Sequence, residues 1–269
     1  MVSSIRPVGD LLREWRRRRR LSQLALACEA EISARHLSFL ETGRSLPSRA
    51  MILHLAEQLN IPLRERNALM IAAGYAPTFA ERSLEDPALR SARRAVDLVL
   101  AGHEPYPAIA VDRRWTLVAA NKAIAPLVAG ADPELLRPPV NVLRLGLHPN
   151  GIAPRIINFP EWRSHLIARL RQQIDVTADP ILKQLLSEIL SYPMPTNRAK
   201  ATPTTEEYAG VVVPLRLAAG EGVLSFFSTT TVFGTPVDIT LAELALESFF
   251  PADTATAETL RHLAVAPRS

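Results

Sequence analysis

Cysteine is nearly absent: Cys28 is the only one in 269 residues. A single thiol rules out an intramolecular disulfide and any cysteine-cluster metal site. Its place within a helical stretch is expected to make it a small packed side chain, with a redox sensor as the lesser alternative. No segment comes near the roughly 18 uninterrupted apolar residues that a membrane span needs. The N-terminus also lacks the apolar core of a secretory signal, so the expected compartment is the cytoplasm. Lysine is almost as scarce, with Lys122, Lys183 and Lys200 making up the full set. None of the three stands in the pattern of a Ser–Lys self-cleaving repressor. The motifs H-E-x-x-H, G-x-S-x-G, the Walker loop and G-x-G-x-x-G are missing, and the six histidines are scattered at 36, 54, 103, 148, 165 and 262. The expectation is a binding protein, not an enzyme, with no cofactor or metal.

What the chain does have is unevenly spread. Hydrophobic residues make up 48%, enough for two cores. Residues 1–80 carry 12 Arg against 7 acidic residues, a net of +5, while residues 81–269 carry 19 basic and 20 acidic residues, a net of −1. Eighteen of the 22 prolines fall after residue 80. A basic, proline-poor domain over 1–80 and a second domain built differently follow from this, joined by the short stretch Tyr75–Leu84. The localised positive charge suits a nucleic-acid partner.

Residues 21–48, LSQLALACEAEISARHLSFLETGRSLPS, supply the motif. Ser22 is an N-cap for a helix through Ala30 with Leu26, Ala27 and Ala30 inward. Ser33 caps a second helix in which Leu37 and Leu40 point inward, leaving Ala34, Arg35, Ser38, Phe39 and Thr42 on the outward face. A solvated face seldom carries a Phe, whereas a helix in a DNA groove can set one against a thymine methyl beside an Arg that bonds guanine O6 and N7. The bland alternative is a helical hairpin with a stray aromatic. Gly43 stops this helix, Pro47-Ser48 opens another to about Asn60, and a fifth runs from Leu63 to Ala73 before Gly74.

The set LSQ, A-x-I-S and L-x-x-L-E-x-G-x-x-x-P-S resembles the helix-turn-helix of the phage-repressor-like XRE family over residues 7–75. The resemblance implies an all-helical fold, with Gln23 touching phosphate or bracing a reading side chain and the Ser33–Thr42 helix entering the major groove. His36 and Arg44 join the expected DNA contacts. Where the family usually has glycine in the turn this chain has Glu31, which a left-handed backbone would strain by about 1 kcal/mol. The run Arg16–Arg20 ends the first helix. It admits three readings: a phosphate clamp through Arg17 and Arg18, cations favoured at a helix C-terminus, and simple solvation.

In the second domain Asp86-Pro87 opens a helix to about Gly102, and Pro107–Asp112 with Trp115–Ala120 reads as a hairpin around Arg113-Arg114. Helices are expected over 160–174 and 179–191, then a proline-rich loop Tyr192–Glu207. Strands Ala209–Leu217 and Gly222–Phe233 follow, then a final helix from Asp238 to just before Pro251, opened by a capping box. The segments HEPYPAIAVDRRW, RPPVNVLRLGLHPNG, NFPEWRSHL and VLSFFSTTTVFGTPVDITLAELALESFFPAD are similar to the MmyB-like ligand-binding domain found behind an XRE reader, and VDRRWTLVAANKA resembles the PAS pattern. The resemblance covers residues 84–255, leaving a tail over 256–269, and implies an α+β, PAS-like domain with an antiparallel sheet that binds a small, largely apolar molecule such as a fatty-acyl compound.

Candidate ligand contacts are Asn121, Arg144, His148, Asn158, Trp162, Arg163 and Phe226. Each has a structural alternative: a turn or cap for Asn121, a turn histidine for His148, core packing for Trp162 and Phe226. Arg144, between two leucines, needs a partner in either case. The expected protein is a homodimeric, ligand-responsive DNA binder on an inverted-repeat operator of double-stranded DNA. The competing expectation is an antitoxin-like or scaffold DNA binder whose second domain grips a protein.

Overall fold

The computed structural model describes residues 6–195, 213–220, 222–234, 236 and 238–265. Two compact units emerge, Met1–Arg82 with Pro236–Ala242, and Ser83–Thr235 with Glu243–Ser269.

Among the described residues, the N-terminal part of the first unit holds five helices, α1 (Val8–Arg18), α2 (Gln23–Glu29), α3 (Ala34–Glu41), α4 (Arg49–Gln58) and α5 (Leu63–Ala72). Serine opens the middle three, while α1 and α5 start after Pro7 and Pro62. Ser22, Ser33 and Ser48 each accept a backbone N–H three residues on, from Ala25, His36 and Met51, at 3.0, 3.1 and 3.2 Å. Their ends follow one rule as well, since all five helices stop on a left-handed residue: Arg20, Glu31, Gly43, Asn60 and Gly74. Each stop is sealed by a backbone bond from the next residue to a carbonyl five back, such as Ile32 N–H to the Ala27 oxygen at 2.9 Å. Glu31, at φ 51°, therefore takes the glycine-like conformation without altering the turn. Glu31→Gly is expected to raise stability by about 1 kcal/mol, a rise of about 4–8 °C in the melting of this unit. Thermal unfolding followed by circular dichroism checks it, and an unchanged or lower midpoint contradicts it.

Leu12, Trp15, Leu26, Leu37, Leu40, Ile52, Leu55, Leu59 and Met70 form the core. Gly9 lets α1 approach the end of α3, where an added Cβ would stand 2.4 Å from the Leu40 oxygen. Leu26, Ala27 and Ala30 are buried as the helical period predicts, but Cys28 is exposed, which corrects the expected packed thiol. It lies on the opposite side of α2 from that stripe.

The second unit opens with α6 (Arg90–Gly102), introduced by a 3₁₀ turn that Asp86 caps through the Ala88 N–H at 2.8 Å. Its sheet consists of β1 (Ala108–Val111), β2 (Leu117–Ala120), β3 (Leu215–Ala219), β4 (Gly222–Val232) and β5 (Ala245–Pro251) in the order β2-β1-β5-β4-β3, all neighbours antiparallel. One face packs on α6 through Val96, Leu100, Ala110 and Leu246. The other carries the larger core, where Trp162, Leu166, Leu170, Leu217 and Phe226 meet. Its helices are α8 (Val142–Leu147), α9 (Phe159–Thr177) and α10 (Pro180–Ser191), with the short α7 (Ala125–Val128) before them. The Arg113-Arg114 hairpin is present, and Asp112 Oδ1 locks it by accepting from the N–H groups of Arg114 and Thr116, both at 2.8 Å.

The long final helix is not formed. Asp238 does cap, its Oδ1 accepting from Thr240 N–H at 2.9 Å, but α11 (Ile239–Ala242) is a single turn and the chain then enters β5, the central strand. Pairing on both sides with β1 and β4 overrides the local capping signal. Because both faces of the sheet are covered, the period-two pattern of LALESFFP is masked. Where a tail was expected, α12 (Thr254–Val265) caps on Asp253 through the Thr256 N–H at 2.7 Å. The expected Tyr192–Glu207 loop is described only to residue 195 and the expected strand from Ala209 only from Val213; the rest of both lies outside the described residues.

The connection between β4 and β5 includes Pro236–Ala242, which belongs to the helical unit. There Arg82 Nη1 meets the buried Asp238 carboxylate at 3.0 Å, Ile239 N–H donates to the Ala80 oxygen at 2.8 Å, and Thr240 Oγ1 donates to the Arg82 oxygen at 2.6 Å.

Candidate DNA interface and sensor cleft

Burial of Leu37 and Leu40 turns Arg35 and Thr42 into solvent, with His36, Ser38 and Phe39 half-buried and Ala34 resting against the core. Ser33 and Arg44, at the two ends of α3, are exposed. Phe39 has a definite job on this face. The guanidinium carbons of Arg35 and Arg44 lie 5.3 and 5.8 Å from its ring centroid, so one aromatic surface holds the two cations flanking the helix. Thr42 turns its hydroxyl back to the Ser38 oxygen at 2.7 Å.

Behind the face lies a charged cluster that the motif reading did not pick out. Arg16 of α1 grips the Glu41 carboxylate of α3 through Nε at 2.6 Å and Nη2 at 2.9 Å, and Gln23 of α2 donates to the same carboxylate at 2.8 Å. Three helices are thus tied at one buried point. Burial by itself would raise the Glu41 pKa, but hydrogen bonds from Arg16 and Gln23 and the charges of Arg16 and Arg13 hold it below the ordinary carboxylate value. Gln23, expected to touch phosphate or brace a reading side chain, here spends its amide on Glu41. The clue in the sequence was a glutamate between Leu40 and Thr42, flush with the buried stripe and in need of a partner.

The Arg16–Arg20 run divides by role. Arg16 is the buried partner just described. Arg18 pairs with Glu14 at 2.5 Å and lies over Trp15. Arg19 donates to the Leu59 and Asn60 oxygens at 2.7 and 2.9 Å, so a cation does satisfy a helix C-terminus, that of α4 instead of α1. Arg17 and Arg20 are exposed. Arg6, Arg13, Arg17 and Arg18 border a shallow groove along α1 with Asp10 and Glu14.

In the second unit the expected ligand contacts do not share one site. Asn121 is buried and bridges β1 and α6, accepting from Ala108 N–H at 3.1 Å and donating to the Tyr106 oxygen at 2.7 Å and the Leu100 oxygen at 3.2 Å. Asn158 joins α9 to β3 through the Pro214 oxygen and the Arg216 N–H. Trp162 and Phe226 are core residues. Three do gather at the end of α10: Arg144 takes the Glu188 carboxylate in a two-pronged bond at 2.8 and 2.7 Å, His148 lies edge-on to Tyr192, and Arg163 donates to the Ile189 and Leu190 oxygens. Arg144 thereby has its partner, and His148 Nδ1 accepts from Asn150 N–H in its turn.

An open cleft of about 330 Å³ lies elsewhere, between the β1–β2 hairpin, α9 and the start of β5. Its walls include Val111, Arg113, Trp115, Arg169, Glu243 and Glu247. Glu247 is 4% exposed on the central strand and pairs with Arg169 at 2.7 Å. Arg169 also lies over Trp115 at 4.9 Å and donates to Thr230 at 3.2 Å. Nearby His165, stacked on Trp162, is held below its ordinary pKa by burial and the Arg169 charge, with Glu247 opposing. The signal was a charge set among apolar neighbours, Arg169 before Leu170 and Glu247 within LALESFF, which is the same logic that singled out Arg144.

A family model for the MmyB-like transcription regulator ligand-binding domain matches residues 92–263, and a helix-turn-helix domain model matches residues 7–69. Among curated proteins, an uncharacterized HTH-type transcriptional regulator, RghRB of Bacillus subtilis (strain 168), is 40% identical over 80 residues, 29% of this chain. The chain spans about half, 55%, of that relative's length. With the second match covering more than half of the chain and the first falling on α1–α5, this chain belongs to the MmyB-like transcription regulators, with a DNA-binding helix-turn-helix domain followed by a ligand-binding domain.

Proposed function

We propose that this protein is a cytoplasmic, homodimeric regulator in which α3 reads the major groove of an inverted-repeat operator and a small ligand in the second unit alters operator affinity. The observation that carries the DNA-reading half is the outward face of α3: Arg35 and Arg44 are braced on Phe39, and the helix itself is locked to α1 and α2 through Glu41. Arg35 is assigned a guanine contact, Ser33, Ala34, His36, Ser38 and Thr42 the adjoining base and backbone contacts, and Arg17 a phosphate. Arg18 adds to the phosphate field while paired with Glu14.

The antiparallel sheet with helices on both faces supports a PAS-like sensor. Its ligand is assigned an apolar body, and a fatty-acyl compound, as the family resemblance implies, is the first class to assay. Coupling between ligand and DNA is supported by the β4–β5 connection that runs through the helical unit.

Selection of operators from random duplex DNA tests the reading of α3. The expected product is an inverted repeat with half-sites about 34 Å apart, bound by a species that sediments as a dimer. Recovery of sequences with no common element contradicts it and favours a second domain built to grip a protein partner.

A further inference from the structure

Arg6, Arg13, Arg17 and Arg18 border the groove along α1, and they are not equally free. Arg13 donates from Nη2 to the Glu41 oxygen at 3.1 Å, which sets the groove beside the C-terminal end of α3. Arg17 is exposed. Arg6 and Arg18 are instead held by one carboxylate, that of Glu14, whose Oε2 takes Arg6 Nη2 at 2.8 Å and whose Oε1 takes Arg18 Nη2 at 2.5 Å. Two oxygens of one anion thus face two guanidiniums, as two oxygens of a phosphate can. Hydrogen bonds from Arg18 and Arg6 keep the Glu14 carboxyl below its ordinary pKa, so it is ionised at neutral pH. The cluster is also open to exchange, because the side chains of Arg6, Arg18 and Glu14 are 57%, 26% and 36% exposed and ion pairs in contact with water are weak. Asp10, in the same groove, is exposed and pairs with no cation among the described residues.

Resting on the DNA-binding reading of this unit, we propose that Glu14 is a built-in stand-in for a DNA phosphate, which occupies Arg6 and Arg18 and so holds down sequence-independent binding. It is a specificity-determining residue that touches no base. Each arginine released to a phosphate adds one counterion-releasing contact. On random DNA the protein settles in whichever register uses those contacts, whereas on an operator the base contacts of α3 fix the register and leave only the phosphates already in reach. Loss of the Glu14 charge therefore favours random DNA over operator.

Glu14→Gln, which keeps the shape and discards the charge, tests this in the full chain on random duplex DNA and on a selected operator. On random DNA the slope of log affinity against log salt is expected to steepen by about 1.8 per protomer, about 0.9 for each of two phosphates, which is an extra loss of about tenfold between roughly 50 and 200 mM salt. The operator should gain less, so the ratio of operator to random affinity falls. Asp10→Asn changes the net charge equally but frees no arginine, and should steepen the slope by well under about one. Adding Arg18→Gln to Glu14→Gln should take back about half of the change. An unchanged random-DNA slope in Glu14→Gln, an equal change in Asp10→Asn, or an operator-to-random ratio that holds or rises overturns the role of Glu14. The DNA-reading assignment itself fails on a different result, a parent protein that binds the selected operator no better than random DNA.

Discussion

Glu41→Ala is expected to cost the helical unit about 3–5 kcal/mol, because removing one partner of a buried ion pair leaves the other charged and desolvated. Arg16 would lose both of its carboxylate bonds, and Gln23 its acceptor. Against a total stability of roughly 5–15 kcal/mol for a domain, that loss brings the unit close to unfolding at ambient temperature. Urea denaturation of the full chain measures it, and a loss under about 1 kcal/mol would show the cluster to be incidental. Replacing both partners by apolar residues, Arg16→Met with Glu41→Leu, should cost far less than Glu41→Ala, since no buried charge is then stranded. The cluster also sets an acid limit. The folded Glu41 carboxyl titrates below its ordinary value of 4.5, so its stabilisation is complete above that pH and is lost as pH falls through the folded value. Wild type should therefore lose stability more steeply below about pH 4.5 than Glu41→Gln.

Cutting the latch at Asp238 is expected to disconnect ligand from DNA. A ligand that prefers one arrangement of β4 and β5 moves the strands that Pro236–Ala242 joins, and Arg82, Ala80 and Thr240 fix that connection to the helical unit. Coupling of about 1–3 kcal/mol corresponds to a 5- to 150-fold change in operator affinity. With Asp238→Asn or Arg82→Ala the change should fall to within about twofold, while operator affinity without ligand stays near that of the parent. Operator titrations with lipid-free protein, with and without hexadecanoate, read both quantities. Undiminished coupling in both variants contradicts the latch. Arg82→Ala is the milder of the two, since Arg82 is 43% exposed whereas Asp238 is 1% exposed.

What could be read along the chain was local. Ser22, Ser33 and Ser48 announce their helices because a cap acts within three residues, and Gly43, Gly74 and the left-handed Glu31 mark the ends for the same reason. What could not be read was set by partners far away. Arg16 and Glu41 stand 25 residues apart, so an arginine that is a structural anchor looks like one more member of a basic run. The stretch after Asp238 has a true cap and helix-compatible residues, yet β1 and β4 claim it as a strand. The open cleft of the second unit draws on the hairpin turn, α9, β4 and β5, four segments whose charges give no sign of convergence in sequence. The candidates named from the sequence were instead polar residues at turns and helix starts, and Asn121, His148 and Asn158 close such features in the fold.

The central claim is that α3 reads base edges, and the most direct measurement is the affinity of Arg35→Ala and Arg17→Ala for a selected operator and for random duplex DNA across a range of salt. Arg35→Ala should lose about 1–3 kcal/mol on the operator, with specificity relaxed at one base position and random-DNA affinity nearly unchanged. Arg17→Ala should weaken both DNAs alike and lower the salt slope by about one. Equal losses for Arg35→Ala on operator and random DNA would contradict the assignment of α3 as the reading helix.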